Sequence, residues 1–194
     1  MNFIGKEIIA ATMILFAVID IVGNIPIVIK LRKKAGHIQS AKASLVALAI
    51  MIAFVFVGES ILSVIGVNVN EFAVAGSFIL FFLALEMILG VSIFKDDDTI
   101  SAKTVSVFPL AFPLLAGPGS LTSLLALRAE YHIENILVAI VINILLIFIV
   151  LKTSSRIEKF MGKNGIAIIQ KVFGVILLAI AVKLFTANIQ ELFR

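Results

Sequence analysis

Cysteine and tryptophan are both missing from this 194-residue chain, and tyrosine occurs once. Without thiols there is no disulfide framework, iron–sulfur cluster, thiol nucleophile or thiol redox relay, which removes any transmembrane electron or thiol carrier. The two histidines, His37 and His132, fall in polar segments and offer no buried zinc site. Charge is also scarce. Only 14% of residues are charged, where soluble domains carry roughly 25%. In contrast, 61% are hydrophobic and the mean hydropathy is +1.19. A crossing helix needs about 20 apolar residues, so a chain of this length holds about six crossings and no sizeable extramembrane domain. Most soluble enzyme classes are thereby excluded, and neither an enzymatic reaction nor a cofactor or metal is expected.

Six apolar runs stand out, at about 8 to 29, 43 to 65, 72 to 94, 105 to 127, 135 to 151 and 168 to 187. They are too long and uninterrupted for barrel strands, which show about ten residues of alternating polarity. Helices are the remaining way to satisfy backbone groups in lipid. The first run exceeds the core of a signal peptide and lacks a small-x-small cleavage site, so it is expected to stay in the chain. Of the 28 charged side chains only Asp20, Glu59, Glu86, Lys171 and Lys183 fall inside the runs.

The basic residues set the topology. Lys30, Arg32, Lys33, Lys34 and Lys42 follow the first run, and Lys95 and Lys103 follow the third. Lys152, Arg156, Lys159, Lys163 and Lys171 surround the connection between the fifth and sixth. That places 12 of 16 basic residues on one side of the membrane, the cytoplasmic side by the positive-inside rule. Both termini then face outward, and the net charge of +4 reads as topology, not nucleic-acid binding. Asp96 to Asp98 read as a solvated linker.

All four prolines lie in two runs: Pro26 in the first, and Pro109, Pro113 and Pro118 in the fourth. The breaks around Gly23-Asn24-Ile25-Pro26 and Gly117-Pro118-Gly119-Ser120 coincide at an offset of 94 residues. Matched breaks argue for a duplication, with a first three-helix repeat over 1–94, a linker over 95–104 and a second repeat over 105–194. Three crossings per half make the second half inverted, the plan of many secondary transporters, whose interrupted helices meet at the bilayer midplane. The expected fold is all-α: six transmembrane helices in a three-plus-three inverted repeat, with helices 1 and 4 interrupted near the midplane.

Proline has no N–H and clashes one turn back. A helix over residues 8 to 22 should therefore stop, with Asn24 capping a second one from about Ile25. In the fourth run Ser120 should cap a helix from Leu121. Each new N-terminus offers unpaired N–H groups and about half a positive charge, suited to a carboxylate. The freed carbonyls opposite, with Asp20, suit an ammonium or a small cation. Asp20 lies about 18 Å into its run, where a bare carboxylate costs about 2.5 to 3.5 kcal/mol unless paired, protonated or wetted. Its bland role is to bond the broken backbone near Asn24. Glu86 and Glu59 are further gating or coupling candidates, though each lies near enough to a surface to reach headgroups. Lys183 is expected to snorkel outward. Asn143, Thr122 and Ser123 are polar candidates for a cavity wall, or else satisfy packing and backbone needs.

Asp20-Ile-Val-Gly-Asn-Ile-Pro26 and Pro109-Leu-Ala-Phe-Pro-Leu-Leu-Ala-Gly-Pro-Gly-Ser-Leu-Thr122 resemble motifs of the MarC family of bacterial and archaeal inner-membrane proteins, also described as the six-helix neutral amino acid transporter family. The similarity spans nearly the whole chain. It departs at Ile21, where the family usually has proline. The resemblance implies a plasma-membrane carrier of small neutral amino acids such as glycine, alanine or serine, driven by a cation gradient. It also implies kinship with other three-plus-three amino acid exporters. The paucity of aromatics gives no support to a drug pump.

The leading expectation is thus alternating-access transport of a small zwitterionic amino acid, coupled to a proton or sodium ion. Asp20, Gly23, Asn24, Pro26, Gly117, Pro118, Gly119, Ser120, Thr122 and Asn143 are expected to hold the substrate; Asp20, Glu86 and Glu59 are the coupling candidates. The partners are the substrate, the ion and the bilayer; a homo-oligomer is compatible with this plan. A cation or metal transporter is the alternative and requires carboxylates converging in one cavity. A non-transporting scaffold would show a closed, apolar centre.

Overall fold

The computed structural model describes residues 3–21, 24–90 and 102–190. The described residues are helical, without strands. Helix α1 (Gly5–Ile19) and α2 (Ile25–Ala35) form the first apolar run, α3 (Ser40–Ile65) the second and α4 (Val69–Leu89) the third. A short α5 (Ala102–Val105) leads into a widened, irregular segment over Ser106–Leu115, followed by α6 (Pro118–Glu130) and α7 (Ile133–Ile189).

Local chemistry explains these boundaries. Gly66 and Gly90 end α3 and α4 in the left-handed conformation, which costs glycine nothing. Asn68 starts α4 with a reciprocal cap, its side chain accepting from the Glu71 N–H while the Glu71 carboxylate accepts from the Asn68 N–H. The third run was expected to reach residue 94, but Gly90 stops the helix at Leu89. Over Ser106–Leu115, Phe108 and Phe112 are extended, at φ −128° and −133°. Each precedes a proline, whose ring disfavours the helical conformation of its predecessor. The fourth run is therefore irregular over ten residues, not at a single break.

Four stretches of described residues are long and apolar enough to cross a membrane: Ser40–Ile65, Val69–Leu89, Ile133–Arg156 and Lys171–Ile189. Ser106–Leu115 and Pro118–Glu130, bent by 48°, make a fifth when taken as one span. Their outer faces fit lipid. Met13, Leu45, Val64, Phe78, Leu145 and Val175 are all at least half exposed, an apolar coat that a water-soluble monomer does not carry.

Residues from Ile133 to Ile189 are all in helical turns, including the expected loop between the fifth and sixth runs. A straight helix of 57 residues would be about 86 Å long. Yet Asn143 donates to the Thr12 carbonyl, and Lys183 lines the same cavity as Ala17, only five residues from Thr12. In a straight helix Asn143 and Lys183 would stand about 60 Å apart. The element therefore doubles back, giving two arms over Ile133–Arg156 and Lys171–Ile189, and it packs against α1, α2, α3 and α4. Small residues permit close approach there, as they do in membrane helix packing. A β-carbon at Gly174 would meet Ile88 Cγ1 at 2.8 Å and Met87 Cβ at 3.1 Å.

One polar clasp joins the start of α1 to the start of α7, ahead of the first apolar run. The Glu7 carboxylate accepts from Asn135 Nδ2 (2.7 Å) and from the His132 N–H (3.0 Å), and lies 3.1 Å from His132 Nδ1. The Asn135 amide and then the His132 backbone hold the Glu7 carboxyl below the usual carboxylate range. Asn135 also accepts from the Ile4 N–H.

Candidate functional site

The first break is centred on Asp20. Helix α1 ends at Ile19, earlier than the expected residue 22, and Asp20 takes the left-handed conformation at φ 45°, ψ 51°. Only glycine adopts this routinely; aspartate and asparagine are the side chains that tolerate it best. Asp20 is thus the C-cap of α1, its N–H donating to the Phe16 carbonyl. Helix α2 begins at Ile25 as expected, with Pro26 in its first turn. Asn24 does not cap it through its side chain. Instead Asn24 Nδ2 donates back to the Ile19 carbonyl at 2.9 Å, filling an acceptor orphaned by the end of α1. With proline already in the first turn, α2 has fewer N–H groups to satisfy than α1 has carbonyls.

At the second break, Pro118 is the first residue of α6 and Gly117 its cap. The helix starts three residues before the expected Leu121, because proline needs no N–H partner at that position. Ser120 lies inside the first turn and donates to the Gly117 carbonyl (2.9 Å) and the Leu115 carbonyl (3.2 Å), so it ties the turn instead of capping it. Thr122 donates to the Gly119 carbonyl. A β-carbon at Gly117 would lie 1.9 Å from the Pro113 carbonyl oxygen, so no other residue fits this bend without rearrangement.

The two breaks share a cavity of about 310 Å³. Asp20, Asn24, Gly117, Gly119, Ser120 and Thr122 line it, joined by Leu80 of α4 and a face of the second arm of α7. Of the other expected site residues, Gly23 lies outside the described residues, as do Asp96 to Asp98. Pro26 and Pro118 are buried behind the wall. Asn143 is buried too, but it clips α7 to α1 through the Thr12 carbonyl and bonds the Ala139 carbonyl on its own helix. Glu86 stands away from the cavity, in an ion pair with Lys30 at 2.7 Å. Glu59 is exposed and lines clefts at the far end of the molecule. Among the described residues Asp20 is the cavity's single carboxylate. Among the described residues no three acidic, histidine or cysteine side chains converge on a metal position.

Lys183, expected to reach outward, is exposed and also borders the cavity, as does Ser123. The signal for Lys183 was present: Leu177, Ile180, Leu184 and Ala187 recur at helical spacing on the same wall, and Lys183 adjoins that stripe. The cavity consequently has two electrical poles. The C-terminal end of α1 and the Asp20 carboxylate supply the negative side. The N-terminal turn of α6, reached through Gly117, Gly119 and Ser120, supplies the positive side, and Lys183 borders the same cavity.

The family model for MarC family integral membrane proteins matches residues 5–193. Similar curated proteins include a UPF0056 membrane protein of Buchnera aphidicola subsp. Schizaphis graminum, 31% identical over 97% of this chain and 99% of its own length. The UPF0056 inner membrane protein YhgN of Escherichia coli K12 is 30% identical over 95% of this chain and 97% of its own. A UPF0056 membrane protein of Pyrococcus abyssi is 29% identical over 92% of each. No solved structure matches the chain. A match over nearly its full length, on a helical fold coated with apolar side chains, makes this chain an integral membrane protein of the MarC family.

Proposed function

We propose that this protein is a secondary carrier of small zwitterionic amino acids working by alternating access. The observation that carries this reading is the bipolar cavity between two interrupted spans. The substrate ammonium sits at Asp20 and the α1 carboxyl end; its carboxylate sits at the first turn of α6 and Lys183. A volume of about 310 Å³ lies at the lower end of the range for ligand pockets, which favours glycine, alanine or serine over larger side chains. In this reading the chain has six spans in two inverted repeats, α1 with α2 forming the first and the arms of α7 the fifth and sixth. The basic end faces the cytoplasm of an inner-membrane protein, with both termini outside. A proton or sodium ion supplies the driving force, with Asp20 as its first candidate site. Pairing of Glu86 with Lys30, outside the cavity, weighs against a carboxylate-lined metal pathway.

The test is uptake of radiolabelled glycine or alanine into liposomes carrying the purified protein, under imposed proton or sodium gradients. Saturable, gradient-dependent flux is expected. Its absence under both gradients overturns the reading, and cation flux without amino acid would favour a cation pathway.

A further inference from the structure

The cavity is closed differently at its two ends. Toward the far end, Thr122 and Ser123 line both the cavity and an open cleft of about 440 Å³ that also presents Glu59, Asn70 and Asn188. Toward the basic end, α4 runs from Leu80 on the cavity wall to Glu86, six residues or about 9 Å further. Leu83 and Ala84 lie in that interval and are 7% and 0% exposed. Beyond these two buried residues, Lys30 Nζ donates to Glu86 Oε1 at 2.7 Å, joining α2 to α4. Two residues on, Arg32 donates to the Leu151 carbonyl at 2.9 Å and straps α2 to the first arm of α7, while its Nη1 is buried without a partner among the described residues.

We infer that the Lys30–Glu86 ion pair is the latch that holds the cavity shut toward the basic end and must part for the site to open there. The inference rests on the alternating-access reading. The Lys30 and Glu86 side chains are 32% and 13% exposed, so the pair is neither free in water nor sealed from it. A half-buried pair suits a latch, because the attraction between the charges is largely offset by the hydration each regains on separation. Such a contact biases an equilibrium without locking it. The arrangement also couples the latch to the site, since Lys30 is carried by α2, the half-helix that starts at the Asp20 break.

The chain has no cysteine, so a single introduced thiol reports without background. Ala17 lines the cavity, and Ala17→Cys places the reporter there. Labelling by a membrane-impermeant methanethiosulfonate reagent is compared in right-side-out and inverted vesicles, with no amino acid present. In the otherwise unaltered chain, labelling is expected mainly from the far side. Glu86→Gln should raise labelling from the basic side at least tenfold, and the exchange Lys30→Glu with Glu86→Lys should return it toward the starting value. Should Glu86→Gln fail to purify as a single species, Lys30→Gln carries the same test, because it removes the other half of the pair. Unchanged labelling from the basic side in a folded variant, or an exchange that restores nothing, overturns the latch. The assay needs no substrate. Altered labelling without amino acid flux would sink the transport reading alone, and flux with unaltered labelling would sink the latch alone.

Discussion

Gly76 of α4 lies directly against the ring of Pro118, so that a β-carbon at Gly76 would stand 1.8 Å from Pro118 Cγ and 2.2 Å from its Cβ. These are the residues through which α4 seats the first turn of α6, and that turn forms the positive side of the cavity. Gly76→Ala should force α6 away, at a cost of about 1–3 kcal/mol for overpacking. Thermal unfolding in detergent is expected to fall by several degrees, together with amino acid flux. An unchanged melting temperature would show that the seat yields.

Asp20 combines a backbone demand with a charge, and substitutions separate the two. Asn and Gly both tolerate the left-handed conformation; β-branched residues do not. Asp20→Asn and Asp20→Gly should therefore keep the melting temperature within a few degrees while abolishing most of the flux. Asp20→Val should unfold earlier, by roughly 1–2 kcal/mol. Equal flux in Asp20→Asn and the parent would remove the carboxylate from the mechanism.

Lys183 is separable from folding because its side chain is exposed within the cavity wall. Lys183→Met is expected to raise the KM for alanine about tenfold, the loss of one charge-assisted contact of about 1.5 kcal/mol, with kcat little changed. A fall in kcat at unaltered KM would assign Lys183 to the conformational step instead.

The clasp at Glu7 makes stability depend on acid. Its folded pKa is depressed by Asn135 and His132, so the stabilisation is present above the unfolded value and is lost as pH falls through the lower folded value. Melting temperatures of the parent and Glu7→Gln should differ at neutral pH and converge below about pH 4. A constant difference down to pH 3 would show that the carboxylate charge contributes nothing.

Much of this was legible in the chain. Long apolar runs placed α3 and the arms of α7 to within a few residues, because burial in lipid leaves little choice of composition or length. Prolines located both breaks because the missing N–H acts locally. What was not legible depended on direction in space. Asn143 and Lys183 are both polar residues inside apolar runs, yet one faces α1 and the other the cavity, a difference of azimuth about a helix. Asn24 and Ser120 were read as caps for the helices that follow, whereas each bonds a carbonyl before it, since proline had already relieved those N-termini. The connection around Arg156 to Lys163 is helical because lysine, arginine and glutamate are good helix formers even where they also mark a membrane boundary.

The interruption at Asp20 is stitched across. Asn24 reaches the Ile19 carbonyl with its amide and the Asp20 carbonyl with its backbone N–H, at 2.9 and 3.0 Å. Two such bonds turn an apparent swivel into a stiff elbow, so α1 and α2 move as one bent lever. The corner of that lever is Asp20, and Lys30 stands midway along its α2 arm, about 7.5 Å from the start of that helix at Ile25. In the proposed carrier, parting of the Lys30–Glu86 pair is thereby delivered to the carboxylate at the corner, and an ammonium held at the corner pulls on Lys30.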